Sequence, residues 1–68
     1  MLNHRFITAT RLSLGLSQAE VARRCGIGRS YYGHLEQGRQ PDPPLSLAVK
    51  LAEVLQVSLM ALYYRRER

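Results

Sequence analysis

The chain of 68 residues lacks the features that define several protein classes. It has no tryptophan and one cysteine, Cys25, which excludes an internal disulfide and a zinc site built from cysteines. It has no apolar run near the roughly 18 residues of a membrane span and no signal-peptide layout, so we expect a cytoplasmic protein without membrane contact. A chain this short buries only about 60% of its unfolded surface, which makes dimerisation a common remedy for a thin core.

Groups able to perform acid–base or nucleophilic chemistry are also scarce. None of them lies at a spacing typical of a nucleophile and its base. They are Glu20, Glu36, Asp42, Glu53, Cys25 and two histidines, His4 and His34. We therefore predict no catalytic residue, no metal site, no cofactor and no small-molecule ligand. For Cys25, a buried apolar position is favoured over a redox role.

Positively charged residues outnumber negatively charged ones. Ten Lys and Arg stand against five Asp and Glu, which gives a formal net charge of +5, and nine of the ten cations are arginine. The planar guanidinium donates two parallel hydrogen bonds to phosphate oxygens or to a guanine edge. A basic balance can also serve solubility alone, so the charge favours a nucleic-acid partner without requiring one.

The residues from 18 to 37, QAEVARRCGIGRSYYGHLEQ, predict two short helices joined by a tight turn, a helix-turn-helix unit. Val21 and Cys25 lie four apart and give the first of these helices an inward face. Gly26 supplies the left-handed backbone of the turn, which a side chain would resist. Seven positions fit the pattern: Val21, Ala22, Cys25, Gly26, Ile27, Tyr32 and Leu35.

Start and stop signals predict the helices before this turn. Asn3 is a plausible N-cap for a first helix to about residue 14, and Gly15 fits its left-handed C-terminal cap. Ser17 and Glu20 have the spacing of a capping box, so a second helix begins at Gln18. The predicted inward stripe of the first helix is Ile7, Ala9 and Leu14 with Phe6 or Thr10, while Arg5 and Arg11 face outward.

The remaining chain predicts three more helices. The third spans about residues 29–37 and closes on Gly38, and the prolines of the loop 39–44 bar a helix there. A fourth spans about residues 45–55, and a fifth runs from an N-cap at Ser58 to about Tyr64, before a tail, 65–68, that we expect to fray. The residues predicted to face the core are Leu47, Ala48, Leu51, Ala52, Leu55, Leu59, Leu62 and Tyr63. The fold class is therefore all-α, in one domain spanning residues 1–68.

With the helices assigned, the sequence resembles the lambdoid-phage repressor and Cro family, the XRE-type helix-turn-helix. The resemblance runs from about Phe6 to Tyr63 and implies a compact five-helix bundle of the lambda-repressor-like DNA-binding type. The residues that carry it are Arg11, the run from Gly15 to Ala22, Gly26-Ile27, the run from Leu35 to Arg39, a proline-containing loop, Leu51-Ala52, Leu55 and the run from Val57 to Leu59.

In that family the third helix enters the major groove and the second lies across the phosphate backbone. The resemblance implies that Gln18 holds a phosphate at the start of the second helix, although its residue type also suits a helix start. It implies that Arg29 and Ser30 read base edges, with Arg29 as the candidate for a bidentate guanine contact. A phosphate contact by Arg29 is the alternative.

Further positions on the third helix are implied to face DNA. Gly33 costs a helix on the order of 1 kcal/mol against alanine, which close approach to a groove wall would explain, unless the site merely tolerates change. His34 could donate to a base or a phosphate. Tyr31 faces partly outward and could touch a phosphate or a thymine methyl, whereas Tyr32 is expected in the core.

The resemblance also pairs Arg11 with Glu36, which would tie the first helix to the end of the third and present Arg11 near the DNA backbone. Two unrelated surface charges are the alternative. Arg39 and Gln40 follow the third helix, where family loops grip phosphates. Arg23 and Arg24 on the second helix contribute general electrostatic attraction.

The family often has acidic residues after the fifth helix begins, where this chain has Met60 and Ala61. Met60, Tyr64 and Leu59 are therefore predicted to form an apolar patch and the interface of a homodimer. A single exposed Met and Tyr without function is the alternative.

We therefore predict a sequence-specific double-stranded DNA-binding transcriptional regulator, a homodimer on an inverted-repeat operator with the third helix in the major groove. A protein-interaction module on the same fold, such as an antitoxin or a polymerase-binding regulator, is the main alternative. An enzyme has too few suitable groups, and membrane-surface binding would depend on four C-terminal residues alone.

Overall fold

The computed structural model describes residues 2–40 and 42–63, which form four α-helices and one short 3-10 helix. The helices are α1 (His4–Ser13), α2 (Gln18–Cys25), α3 (Arg29–Gln37) and α4 (Leu45–Leu55), and the 3-10 helix spans Leu59–Leu62. The all-α prediction is confirmed. The longest helix within residues 2–40 and 42–63 is α4, with 11 residues, and a membrane span needs about 20, so the described helices include no candidate span.

The predicted starts of α1 and α2 are confirmed by their hydrogen bonds. Asn3 caps α1, because its side-chain oxygen accepts from the amide of Phe6 at 3.1 Å. The capping box of α2 is complete: the Ser17 hydroxyl accepts from the amide of Glu20, and the Glu20 carboxylate accepts from the amide of Ser17, both at 3.0 Å. Gly26 has φ of +73°, the left-handed conformation that the turn between α2 and α3 requires.

The predicted fifth α-helix is wrong, because only the four-residue 3-10 helix forms there. The Leu62 carbonyl accepts a hydrogen bond from the amide of Asn3 at 2.7 Å, and Leu2 and Tyr63 form an isolated antiparallel bridge. This pairing with the beginning of the chain draws Tyr63 into extended backbone and ends the helix. Tyr64 and the predicted frayed tail 65–68 lie outside the described residues.

The core lies where α1, the helix-turn-helix unit, α4 and the 3-10 helix meet. Val21, Ala22, Tyr32 and Leu35 are buried as predicted, and Cys25 and Ile27 are half-buried against them. The α4 prediction is confirmed for its four buried residues, while Leu47 is half-buried. Those four are Ala48, Leu51, Ala52 and Leu55. Of the residues predicted inward near the chain's end, Leu62 is buried and Leu59 and Tyr63 are half-buried.

The predicted inward face of α1 is partly wrong. Ile7 is buried, but Ala9 and Leu14 are exposed. Arg11, predicted to face outward, is instead buried, with 8% of the residue exposed. The reason is the predicted ion pair with Glu36, which forms across 25 positions of sequence and turns this face of α1 towards α3.

The Arg11 guanidinium donates three hydrogen bonds to two partners. Its Nε donates to Glu36 Oε2 at 2.6 Å and its Nη2 donates to Glu36 Oε1 at 3.1 Å, a bidentate pair. Its Nη1 donates to the carbonyl of Leu16 at 2.9 Å, in the segment that joins α1 to α2. The hydrogen bond to Glu36 raises the pKa of Arg11, against the opposing effect of burial.

The carboxylate of Glu36 has two further donors, which the sequence did not predict. The Tyr32 hydroxyl donates to Oε2 at 2.5 Å and the Gln18 amide donates to Oε1 at 3.0 Å. Burial by itself would raise the pKa of Glu36, but the hydrogen bonds from Arg11, Tyr32 and Gln18 outweigh it and lower the pKa. We call Arg11, Gln18, Tyr32 and Glu36 the Glu36 network. It joins α1, α2 and α3.

The depressed pKa of Glu36 predicts a loss of stability in acid. A carboxyl group with a lowered folded-state pKa contributes stability above its ordinary value of 4.5, and this contribution disappears as the pH falls through the folded-state pKa. Glu36→Gln should therefore be less stable than wild type at pH 7, and the difference should shrink in acid as the pH falls below 4.5 and through the folded-state pKa of Glu36. Urea unfolding at pH 7 and at an acidic pH measures this difference.

Glu53→Gln is the matched control, since Glu53 is 66% exposed and its oxygen lies 3.8 Å from Lys50 Nζ. It should differ little from wild type at either pH. A Glu36→Gln deficit that stays constant between the two pH values would contradict the assigned role of the Glu36 charge.

Candidate nucleic-acid interface

The beginning of α3 is exposed, and its cap has no side chain. Gly28 occupies the N-cap position and makes no side-chain hydrogen bond to the first turn. Arg29 and Ser30, the first two residues of the helix, are exposed. The inward residues Tyr32 and Leu35 have no exposed surface, which fixes the rotation of α3 and therefore directs Arg29 and Ser30 outward.

Side chains from α2, α3 and the following loop line one shallow polar depression, which we call the α3 surface. Its residues are Gln18, Arg29, Ser30, Gly33, His34, Gln37 and Arg39. Six of them were predicted from the sequence to contact DNA, and the structure brings those six together. Gln37 was missed, although it continues the spacing of Arg29 and Gly33 by one more step of four residues.

The positive charge of the α3 surface is not neutralised by the described residues. Arg29 and Arg39 are exposed and form no ion pair within the described ranges. The nearby acidic side chains already have partners. Glu36 is hydrogen-bonded within the Glu36 network, and Glu20 forms the capping box, where the hydrogen bond from the Ser17 amide lowers the pKa of Glu20. The surface therefore attracts anions.

The beginning of α2 lies beside this surface and carries free amide groups. The Glu20 amide is capped by the Ser17 side chain and the Val21 amide donates to the Ser17 carbonyl, so the amides of Gln18 and Ala19 are the ones without an internal acceptor. Free amides at a helix N-terminus are suited to a phosphate oxygen. The Gln18 side chain itself is held by Glu36.

Gly33 is buried rather than outward-facing, which corrects the expectation from the sequence. Its cover is the Gln18 side chain: a Cβ built on Gly33 would lie 3.8 Å from Gln18 Oε1, an ordinary contact, and would meet nothing closer. Its φ is not in the left-handed region. Nothing inside the folded domain therefore requires glycine at this position.

Three predicted contact residues lie apart from the depression. Arg11 is behind it, in the Glu36 network, and Gln40 is half-buried in the loop after α3. Tyr31 is half-buried on the other side of α3, where it lines a groove with Cys25 and Ile27. Burial raises the pKa of the Cys25 thiol, which keeps the thiol protonated and unreactive.

The predicted dimer patch is described only in part. Met60 is 75% exposed, whereas Leu59 is half-buried against the core and so offers less surface than expected. Tyr64 lies outside the described residues. Within residues 2–40 and 42–63, no group of three His, Cys, Asp or Glu side chains is arranged to hold a metal ion.

Comparison with known proteins agrees with this geometry. The helix-turn-helix family HTH_3 matches residues 7–62. No curated protein matches the chain. The crystal structure of SinR, a master regulator of biofilm formation, in complex with DNA superimposes with a TM-score of 0.83 at 30% identity, over 90% of this chain and 100% of that chain.

Two further SinR structures are similar. The SinR–SinI complex has a TM-score of 0.81 at 31% identity over 91% of this chain, which spans 59% of the chain in that complex. The N-terminal DNA-binding domain of SinR from Bacillus subtilis has a TM-score of 0.80 at 28% identity, over 97% of this chain and 100% of that domain.

Gly33→Ala should stabilise the free protein. The helix gains up to about 1 kcal/mol from the better helix former, and the added methyl fits at 3.8 Å from Gln18 Oε1. Thermal unfolding in the absence of any ligand measures the gain. Gly38→Ala is the control with the opposite sign, because Gly38 has φ of +77° and its added Cβ would lie 3.1 Å from His4 Nε2. A destabilised Gly33→Ala protein would show that the domain itself needs glycine there.

Proposed function

The chain belongs to the HTH_3 family of XRE-type helix-turn-helix, DNA-binding transcription regulators, and from this premise we propose that it binds specific double-stranded DNA operators. We propose further that it acts as a homodimer on an inverted repeat, with α3 of each copy in the major groove. The domain would comprise residues 1–68 and act in the cytoplasm.

One observation supports this function most directly: the exposed beginning of α3 carries Arg29 and Ser30, beside unpaired positive charge and the free amides of α2. An α-helix with its side chains is about 10–12 Å across, which fits the major groove, about 12 Å wide. With α3 in the groove, the N-terminus of α2 would face the adjacent phosphates.

The residues then divide between reading and positioning. Arg29 would donate two hydrogen bonds to O6 and N7 of a guanine, with Ser30 and His34 against neighbouring bases. The backbone amides of Gln18 and Ala19 would bind one phosphate, and Arg39 and Gln40 another. Tyr31 would contact the sugar–phosphate backbone or a thymine methyl from the side of α3. Arg11 would act through Glu36, which it holds.

A second copy would meet the first at the exposed Met60. Two-fold symmetry would then direct both α3 helices towards the same face of the duplex, at half-sites about one helical turn, roughly 34 Å, apart. Residue Leu59 would contribute only its exposed part, since it also packs on the core. No catalytic step, metal or cofactor enters this function.

A random duplex library tests the proposed function. Selection of bound sequences should enrich an inverted repeat, and binding to it should weaken steeply as salt rises, because arginines release counterions from the phosphates. Weak binding without enrichment would contradict it.

Such a flat selection would instead favour a protein-interaction module. One observation is consistent with that alternative: Leu12 and Leu45 are 62% and 68% exposed, away from the α3 surface. A SinR structure in complex with SinI shows a relative bound to another protein. The library experiment therefore separates the two functions.

Arg29→Ala should weaken binding to the selected operator by about 1–3 kcal/mol while changing nonspecific binding much less, because the lost contact is to a base. Fluorescence anisotropy with operator and scrambled duplexes measures both affinities. Arg23→Ala, with the same loss of charge on α2, should reduce both affinities alike. An equal loss on the two duplexes for Arg29→Ala would assign Arg29 to a phosphate.

Met60→Asp should shift the protein from dimer to monomer, because two charges would be buried against each other at the symmetry axis. Sedimentation equilibrium measures the mass. Leu45→Asp adds the same charge at a comparably exposed position and should leave the dimer intact. An unchanged mass for Met60→Asp would exclude this interface.

A further inference from the structure

We propose that Gln18 is a specificity-determining residue: its side-chain carbonyl oxygen accepts a hydrogen bond from the exocyclic amino group of an adenine or a cytosine. This inference rests on the proposed DNA-binding function and deepens it. The sequence suggested a phosphate contact for the same residue. What changes the assignment is the juxtaposition of Gln18 with Glu36 on one side and Gly33 on the other.

The orientation of the Gln18 amide is determined by Glu36. An ionised carboxylate only accepts hydrogen bonds, so the group within 3.0 Å of Glu36 Oε1 must be the NH₂ of Gln18. The depressed pKa of Glu36 keeps that carboxylate ionised at neutral pH. The Gln18 oxygen is therefore turned away from the interior and towards Gly33.

The Gln18 oxygen is available to a ligand. It accepts no hydrogen bond from the described residues, and no buried side-chain oxygen among them lacks a partner, so the Gln18 oxygen reaches solvent. Gln18 lines the α3 surface together with Arg29 and Gly33. Gln18 is therefore the member of the Glu36 network that reaches the α3 surface, and its oxygen is an unpaired acceptor there.

This acceptor is held in place before any DNA arrives. Glu36 is itself fixed by two hydrogen bonds from Arg11 and one from Tyr32, whose side chains are buried or nearly so. If the Gln18 amide rotated, the buried Glu36 Oε1 would lose one of its hydrogen-bond donors. A preorganised acceptor loses little entropy on binding and cannot adapt by presenting its NH₂ instead.

DNA offers few donors to such an acceptor. Phosphate and deoxyribose oxygens within a strand are acceptors, so they would repel the Gln18 oxygen. In the major groove the donors are the N6 amino group of adenine and the N4 amino group of cytosine. The oxygen would therefore favour these two bases and disfavour guanine O6 and thymine O4, whereas the phosphate contact falls to the backbone amides of Gln18 and Ala19.

Gly33 makes the approach possible. It lies beside the Gln18 oxygen in the middle of α3 and lines the polar depression between Arg29 one turn before and Gln37 one turn after. A side chain at position 33 would narrow this depression next to the oxygen and hold the base edge away from it. This requirement explains a glycine that the free domain does not need.

The test removes single amino groups from the DNA. In the operator obtained by library selection, each adenine of one half-site is replaced in turn by purine, and each cytosine by a pyrimidin-2-one that lacks the amino group. Affinity is measured by fluorescence anisotropy for wild type and for Gln18→Met, which keeps the length of the side chain without its amide. Thermal melting of each variant verifies that it is folded.

We expect one position per half-site at which loss of the amino group weakens wild-type binding by about 3- to 10-fold, the effect of one hydrogen bond. Gln18→Met should bind the intact operator more weakly by a similar factor and should be indifferent to the amino group at that position. The matched control Gln37→Met, the same substitution on the same surface, should keep the wild-type response there.

Gly33→Ala gives a second and independent readout. It should reduce the response to that same amino group while the protein melts at a higher temperature than wild type. If no removal weakens wild-type binding by about 3-fold, or if Gln18→Met keeps the full response, the inference is wrong. A flat library selection would overturn the proposed function together with this inference, whereas specific binding without the coupled position overturns this inference alone.

Discussion

One buried carboxylate determines how the first three helices meet. Glu36 receives two hydrogen bonds from Arg11 on α1, one from Gln18 on α2 and one from Tyr32 on α3. Its side chain is only 4% exposed, and a buried charge is tolerated only where its acceptor oxygens are satisfied. Moving any of these helices would leave part of that charge without a donor. The orientation of α3, on which the proposed function depends, follows from this constraint.

The same carboxylate shapes the chemistry of the outer surface. Because Glu36 is buried and paired with Arg11, no acidic side chain lines the α3 surface, and the positive charge of Arg29 and Arg39 is not neutralised there. Because the Gln18 NH₂ donates to Glu36, the Gln18 oxygen faces Gly33. Gln18 thus belongs both to the Glu36 network and to the proposed DNA contact. Its hydrogen bond to Glu36 determines that Gln18 presents an acceptor, and not a donor, to the DNA.

Local signals in the sequence predicted the helix boundaries well. The side chains of Asn3, Ser17 and Glu20 bond to amides within three residues, and Gly26 needs only its own backbone to form the turn. Predictions failed where contacts between segments distant in sequence determine which residues are buried or where a helix ends. Ala9 and Leu14 were expected inside on hydrophobicity alone, but α1 turns its Arg11 face inward to reach Glu36. The expected fifth helix ends early because the Asn3 amide donates a hydrogen bond to the Leu62 carbonyl.

The helical class, the helix-turn-helix unit, the ends of the four α-helices and the basic charge could be predicted from the sequence, since these depend on residue type and on spacings of a few positions. It also identified six of the seven residues that line the α3 surface. The position of Gly33 beside Gln18, and the end of the Gln18 amide that faces outward, could be seen only once the helices were packed together. A side chain's hydrogen-bond direction depends on its partner, and the partner of Gln18 is 18 positions away, across the turn between two helices.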